Sequence, residues 1–229
     1  MTRGLLLAGN ESSLYSAVAA EAAKRVESHV SAIIPNRFPM SDGGKLLPPK
    51  AETGAAGAIP FSWNPGSPIA ARTLVLGAEN RLETIHDAIL ICSPPALYKS
   101  AGALSPQEID ILINDHIKGW FFLIRELILY FRGKGKGSLS LVMPEINFGI
   151  GGKNSPVDIL GHAAAASFQA FANSVLASSA DEPFNLMGFT GFEAGSEAEF
   201  AAWVFKIIDE NLKKNSFRWH RYSKLKFFR

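Results

Sequence analysis

Four side chains in this sequence carry groups suited to covalent or metal-assisted chemistry: Cys92, His116, Glu145 and His162. A thiolate attacks carbon or holds a soft metal, an imidazole moves protons or ligates, and a carboxylate does either when its neighbours tune it. Cys92 closes an unbroken apolar run over residues 87–92, and Glu145 follows a second run over 139–143. His116 and His162 fall in stretches with helical signals. Strand ends and the helices facing them are where open α/β sheets bind ligands. The spacing matches no metal-binding pattern, and a lone cysteine behind apolar residues usually serves as a small inert hydrophobe. A repurposed crevice enzyme built on these four is therefore one reading, and it requires the fold to bring them together.

The elements that would position them alternate along the chain. Residues 4–9 form a short apolar run ending in Gly9, the pattern of a buried strand. Ser12 or Ser13 caps a helix over 14–28, and residues 29–34 read as a second buried strand. Residues 35–58 are dense in proline and glycine without apolar period, an irregular excursion. Residues 59–63 follow as a third strand; Pro60 removes one ladder donor and places it at a sheet edge. Ser67-Pro68 opens a helix to about Thr84, and 87–92 is the fourth strand. Ser105-Pro106-Gln107-Glu108 is a capping box opening a long helix to Arg132, closed by the glycines of 133–137. Strands over 139–143 and 184–189 alternate with helices over 155–178 and 196–211. Such alternation predicts one doubly wound, three-layer domain over residues 1–229, a parallel sheet with helices on both faces.

Composition fits that class and narrows the surroundings. In 229 residues, 47% are hydrophobic and 19% charged, and the single cysteine cannot form an internal disulfide. The opening apolar run is too short for a signal peptide, and the most apolar helical stretch, 120–131, is broken by Arg125 and Glu126. The expectation is a cytoplasmic protein without a membrane span. The net charge of +2 joins a basic tail, 213–229, with seven Lys or Arg and no acid, to a body of net charge −5. The tail's five aromatic residues need packing partners, so an edge strand kept soluble by its charges is expected. It and the Lys134/Lys136 turn are the places for an anion or an acidic partner; nucleic acid is not expected.

The order and spacing of these elements resemble the short-chain dehydrogenase/reductase family along nearly the whole chain. The most specific stretch combines the 87–92 strand, the Leu104-Ser105-Pro106-Gln107-Glu108-Ile109-Asp110 cap, His116-Ile117-Lys118-Gly119 and the strand entry Gly137-Ser138-Leu139-Ser140. The small and apolar rhythm of 165–177 adds to it. The resemblance implies a Rossmann-like fold with its third strand at an edge. It also implies a homodimer or homotetramer paired through helices 105–132 and 155–178. The near-continuous apolar surface from Trp120 to Phe131 independently calls for more cover than one sheet face supplies.

The departures fall on the chemistry. The family's Gly-x-x-x-Gly-x-Gly turn is matched by Gly9, Ser13 and Tyr15, with Glu11 between. Glycine lets backbone approach a pyrophosphate at the helix start, and Tyr15 puts a ring there. The family's tyrosine base and its lysine four residues on correspond to Gly161 and Ala165, or to His162 and Ala166 one residue later. Its serine falls near Pro144 or Glu145, its helix asparagine at His116, and its Asn-Asn-Ala-Gly at Cys92-Ser93-Pro94-Pro95-Ala96. Losing a positioned acid/base costs roughly 10²–10⁴ in rate. The main expectation is thus a non-catalytic binding or scaffold protein with no cofactor. The alternative is a divergent oxidoreductase holding NAD or NADP in a shifted pose, with Arg37 after the second strand meeting a 2′-phosphate and Cys92 and Ser93 beside the nucleotide.

Overall fold

The computed structural model describes residues 3–34, 57–94, 96–145, 158–191, 195–210 and 216–223. Seven strands form one parallel sheet in the order β3-β2-β1-β4-β5-β6-β7. They are β1 (Leu5–Asn10), β2 (His29–Ile34), β3 (Ala58–Pro60), β4 (Asp87–Ile91), β5 (Ser138–Val142), β6 (Asn185–Thr190) and β7 (Arg218–Arg221). The helices between them are α1 (Ser13–Ala23), α2 (Pro68–Leu82), α3 (Pro106–Ile111), α4 (Gly119–Lys134), α5 (Ile159–Ser178) and α6 (Glu197–Glu210).

The strands alternate which face they feed. On β1, Leu5 and Leu7 join Val18, Ile91, Phe200 and Val204 under α1 and α6. Leu6 and Ala8 point the other way, into a larger core with Leu74, Trp120, Phe131 and Phe168 under α2, α4 and α5. Strands buried on both faces read as continuous apolar runs, which is why β1 and β4 carry no polar alternation. The three-layer, doubly wound architecture expected from the sequence is the one observed.

Several boundaries differ. β3 covers only Ala58–Pro60, and Pro60 lies within it at the sheet edge, where its missing N–H faces no neighbour. α1 stops at Ala23, five residues short of the expectation. The long helix expected from the Ser105 cap is three pieces: α3, a π-helical segment over Leu112–Lys118, then α4. The cap itself is as read: Ser105 Oγ accepts from the Glu108 N–H at 3.3 Å, and Glu108 Oε2 accepts from the Ser105 N–H at 2.8 Å. The wide turns turn Asp115 and His116 inward, while α4 buries Trp120, Leu123, Ile124, Leu127 and Phe131 on the sheet. α4 closes on Gly135 in the left-handed conformation.

Part of the basic tail forms β7. Trp219 lies over Gly188 of β6, where an added Cβ would come within 2.6 Å of the indole, so the missing side chain is what seats the ring. The surplus apolar surface of α4 is covered in part by α5: Phe121 stacks on Phe171 at 3.8 Å, leaving Phe121 40% and Leu129 44% exposed. Among the described residues no helix is long and apolar enough to cross a membrane.

Candidate functional site

The strand order reverses direction at β1, whose neighbours are β2 on one side and β4 on the other. Ligands of open α/β sheets bind at the carboxyl ends of such strands. Gly9 is the last residue but one of β1, and Ser12 starts α1 by accepting from the Tyr15 N–H at 3.1 Å. That cap aims Tyr15 back under the helix. Its ring is 4% exposed and lies against Gly9; a Cβ there would sit 2.7 Å from the ring and 2.9 Å from the Ile91 carbonyl oxygen. The hydroxyl pairs with Ser31 Oγ at 2.7 Å and reaches the Leu7 carbonyl oxygen at 3.4 Å. Burial drives this phenol far above its ordinary range, only partly offset by Ser31, so Tyr15 stays neutral and cannot serve as a base.

The neighbouring positions are also occupied by the chain itself. Ser13 Oγ donates to Glu197 Oε1 at 3.1 Å, which brings a carboxylate from the first turn of α6 to the start of α1. A helix start favours anions, and here the chain supplies its own. Asn10, 1% exposed, ties three elements together. Its Nδ2 lies 2.9 Å from His116 Nδ1, and its Oδ1 accepts from the Ser93 N–H at 3.0 Å. The ends of β1 and β4 and the π-helical segment are thereby locked to one another.

The positions matched to a catalytic tyrosine and lysine hold a cap. Asp158 Oδ1 accepts from the Gly161 N–H and from the Leu97 N–H, both at 2.9 Å. A Cβ at Gly161 would fall 2.0 Å from Asp158 Oδ2, so the carboxylate fills the space a side chain would need. Ala165 is buried and apolar, and His162 is half-buried beside Gly161. Pro144 is half-buried, and Glu145 is exposed and ion-paired with Arg221 after crossing towards β7.

The four chemistry-bearing residues do not all come together. Cys92 is fully buried in the core beneath α2, α4 and α5, where loss of water raises its thiol far beyond thiolate formation; the Trp120 indole offsets little of this. His116 meets Asn10, and Glu145 faces β7. Among the described residues no three His, Cys, Asp or Glu side chains could hold a metal ion. Arg37 and Pro95 lie outside the described residues. Asn10, Asp158 and Glu197, the residues that occupy the crevice, were not anticipated. Apart from the local cap of Asp158 on Gly161, their partners are distant in sequence, and beside Asn10 the run Ser12-Ser13 hinted at a polar turn.

A dinucleotide in the orientation implied by the resemblance needs bare backbone at Gly9 and α1, and a proton donor near the start of α5. Tyr15 fills the first place, Glu197 adds a negative charge to it, and Asp158 fills the second. These residues do not fit the group in that pose.

No family model matches the chain, and no curated protein matches it by sequence. Solved structures match along nearly its whole length. A short chain dehydrogenase from Bacillus anthracis superposes with a TM-score of 0.72 at 14% identity, over 99% of this chain and 97% of that one. The 3-ketoacyl-(acyl-carrier-protein) reductase from Brucella melitensis, complexed with NADH, gives 0.70 at 12% identity, over 96% of each chain. The NADH-dependent reductase A1-R′, complexed with NAD, gives 0.68 at 13% identity, over 100% and 98%. The chain thus has the fold of the short-chain dehydrogenases and reductases.

Proposed function

We propose that this protein is a binding or scaffold member of the dehydrogenase-like fold, in which the crevice at β1 and β4 is used as structure and hydride transfer by a serine, tyrosine and lysine is lost. The observation that carries this reading is the Tyr15 ring seated in the space that Gly9 leaves open. With the Tyr and Lys positions matched by Gly161 and Ala165, or by His162 and Ala166, and the Ser position by Pro144 or Glu145, neither register supplies the tyrosine, lysine and serine of that mechanism. The half-exposed Phe121 and Leu129 support pairing of two copies through α4 and α5, to be read as a dimer or tetramer mass by light scattering. Titration of the full chain with NAD, NADH, NADP and NADPH tests the main reading: no thermal shift is expected at about millimolar ligand, and micromolar binding would overturn it.

A second reading, a divergent oxidoreductase with a displaced nucleotide, draws support from the neighbours that hold NAD or NADH. It predicts saturable binding that Tyr15→Gly strengthens. Unchanged affinity in that variant would remove it.

A further inference from the structure

Besides its carboxyl and amino edges, where the strands end and begin, the sheet has two flanking strands, β3 and β7. A flanking strand offers backbone N–H and C=O groups to any extended chain, and folds blunt it for that reason. β3 is blunted by its length of three residues and by Pro60. β7 carries neither device: Arg218–Arg221 holds no proline, and among the described residues its one strand neighbour is β6. The strand is held from both faces. Trp219 lies over Gly188 and donates from Nε1 to Asn173 Oδ1 of α5, while His220 stacks at 5.3 Å on Phe189, in the core under α6. At its two ends the Phe217 and Tyr222 N–H groups donate to the Leu186 and Thr190 carbonyls. A strand fixed this way presents its outer backbone without an ordering cost of its own.

Charge decides what that template accepts. Arg218 and Arg221 are both exposed, and the sequence from 213 to 229 has seven Lys or Arg and no acid. Charges of mixed sign would blunt a strand equally well, whereas a run of one sign discriminates between partners. A second β7 laid alongside would bring arginine to arginine, so the run disfavours self-pairing. An acidic strand meets the opposite case. Arg221 pairs with Glu145, itself exposed. A surface pair of this kind contributes little, so a carboxylate from outside replaces Glu145 at small cost.

We infer that the outer side of β7 receives an extended acidic segment of another protein, its backbone continuing the ladder and its carboxylates meeting Arg218 and Arg221. The site is separate from the crevice and does not rest on the reading given for it.

Fluorescence anisotropy of a short labelled peptide of alternating glutamate and valine, titrated with the full chain, tests the inference. Saturable binding is expected, weakening by about tenfold as salt rises from about 50 to 500 mM. A peptide with proline at its centre loses a ladder donor and is expected to bind about tenfold more weakly. Equal affinity for the proline peptide would reduce the contact to charge attraction and overturn strand pairing. Arg218→Glu with Arg221→Glu is expected to weaken binding by about tenfold or more. Should that variant fail to fold, Arg218→Gln with Arg221→Gln gives the same readout, with about fivefold weakening expected. Equal affinity in the variant that folds, or no saturation at about millimolar chain, overturns the site. Binding to phosphatidylserine vesicles with none to the peptide overturns it in favour of a membrane surface.

Discussion

The two edges of this sheet tie down their polar groups by different means. At the carboxyl edge the crevice-facing groups described above satisfy one another: Asn10 holds His116 and Ser93, Asp158 holds Leu97 and Gly161, and Ser13 holds Glu197. At the amino edge ion pairs do this work: Arg3 bridges Asp87 and Asp209, Arg25 also pairs with Asp209, and Lys134 pairs with Glu79. Open α/β folds ordinarily keep the carboxyl edge for ligands and the amino edge for stability. Here hydrogen bonds tie the carboxyl edge and ion pairs tie the amino edge, so side chains, and not the fold alone, decide how each edge is held.

Breaking the carboxyl-edge lock should produce the largest effect. Asn10→Leu removes the acceptor of the half-buried Ser93 N–H and one partner of the His116 ring, and is expected to cost about 2 kcal/mol in urea unfolding. A loss under about 0.5 kcal/mol would mean that the lock carries no stability. Gly9→Ala sets a methyl against Tyr15 and the Ile91 carbonyl and should cost about 2 kcal/mol. The same change in a Tyr15→Ala background should cost less, and strict additivity would show that ring and glycine are not coupled.

The amino edge offers a pH test. His29 opens β2, is wholly buried, and neither ring nitrogen has a partner among the described residues. Desolvation lowers its proton affinity below the ordinary histidine value. The unfolded chain then binds the proton more readily, so stability is fully present above about pH 6.5 and declines as pH falls below it. The decline is limited to about 1.4 kcal/mol per pH unit for one proton. His29→Phe should flatten the dependence between about pH 5 and 7; an unchanged slope assigns it to other groups. The smallest effect belongs to the α3 cap: Ser105→Ala should cost about 1 kcal/mol, read as a shift in the urea midpoint at constant slope.

Much of the framework was legible because its signals are local. The capping box at Ser105, the proline of β3 and the unbroken apolar strands each report on a few adjacent residues. The residue types at Gly161 and Ala165, or His162 and Ala166, were readable in the same way. What replaced them was not. Asp158 reaches Leu97 across 61 positions, and Asn10 reaches His116 across 106, so no window of sequence contains either pair. The π-helical turns over Leu112–Lys118 were equally hidden, since their residue types suit an α-helix and the regular apolar stretch of 120–131 follows directly after them. Cys92 looked reactive by type, yet its strand position points it into the core.

That π-helical segment has a consequence for chain length. A wide turn accommodates one residue beyond the α-helical count, like slack wound into a coil. Deleting one residue between Leu112 and Asp115 would let the coil tighten while α3 and α4 keep their seats, carrying the imidazole of His116 away from Asn10. A shortened chain that folds with that ring still tethered would show the slack to lie elsewhere.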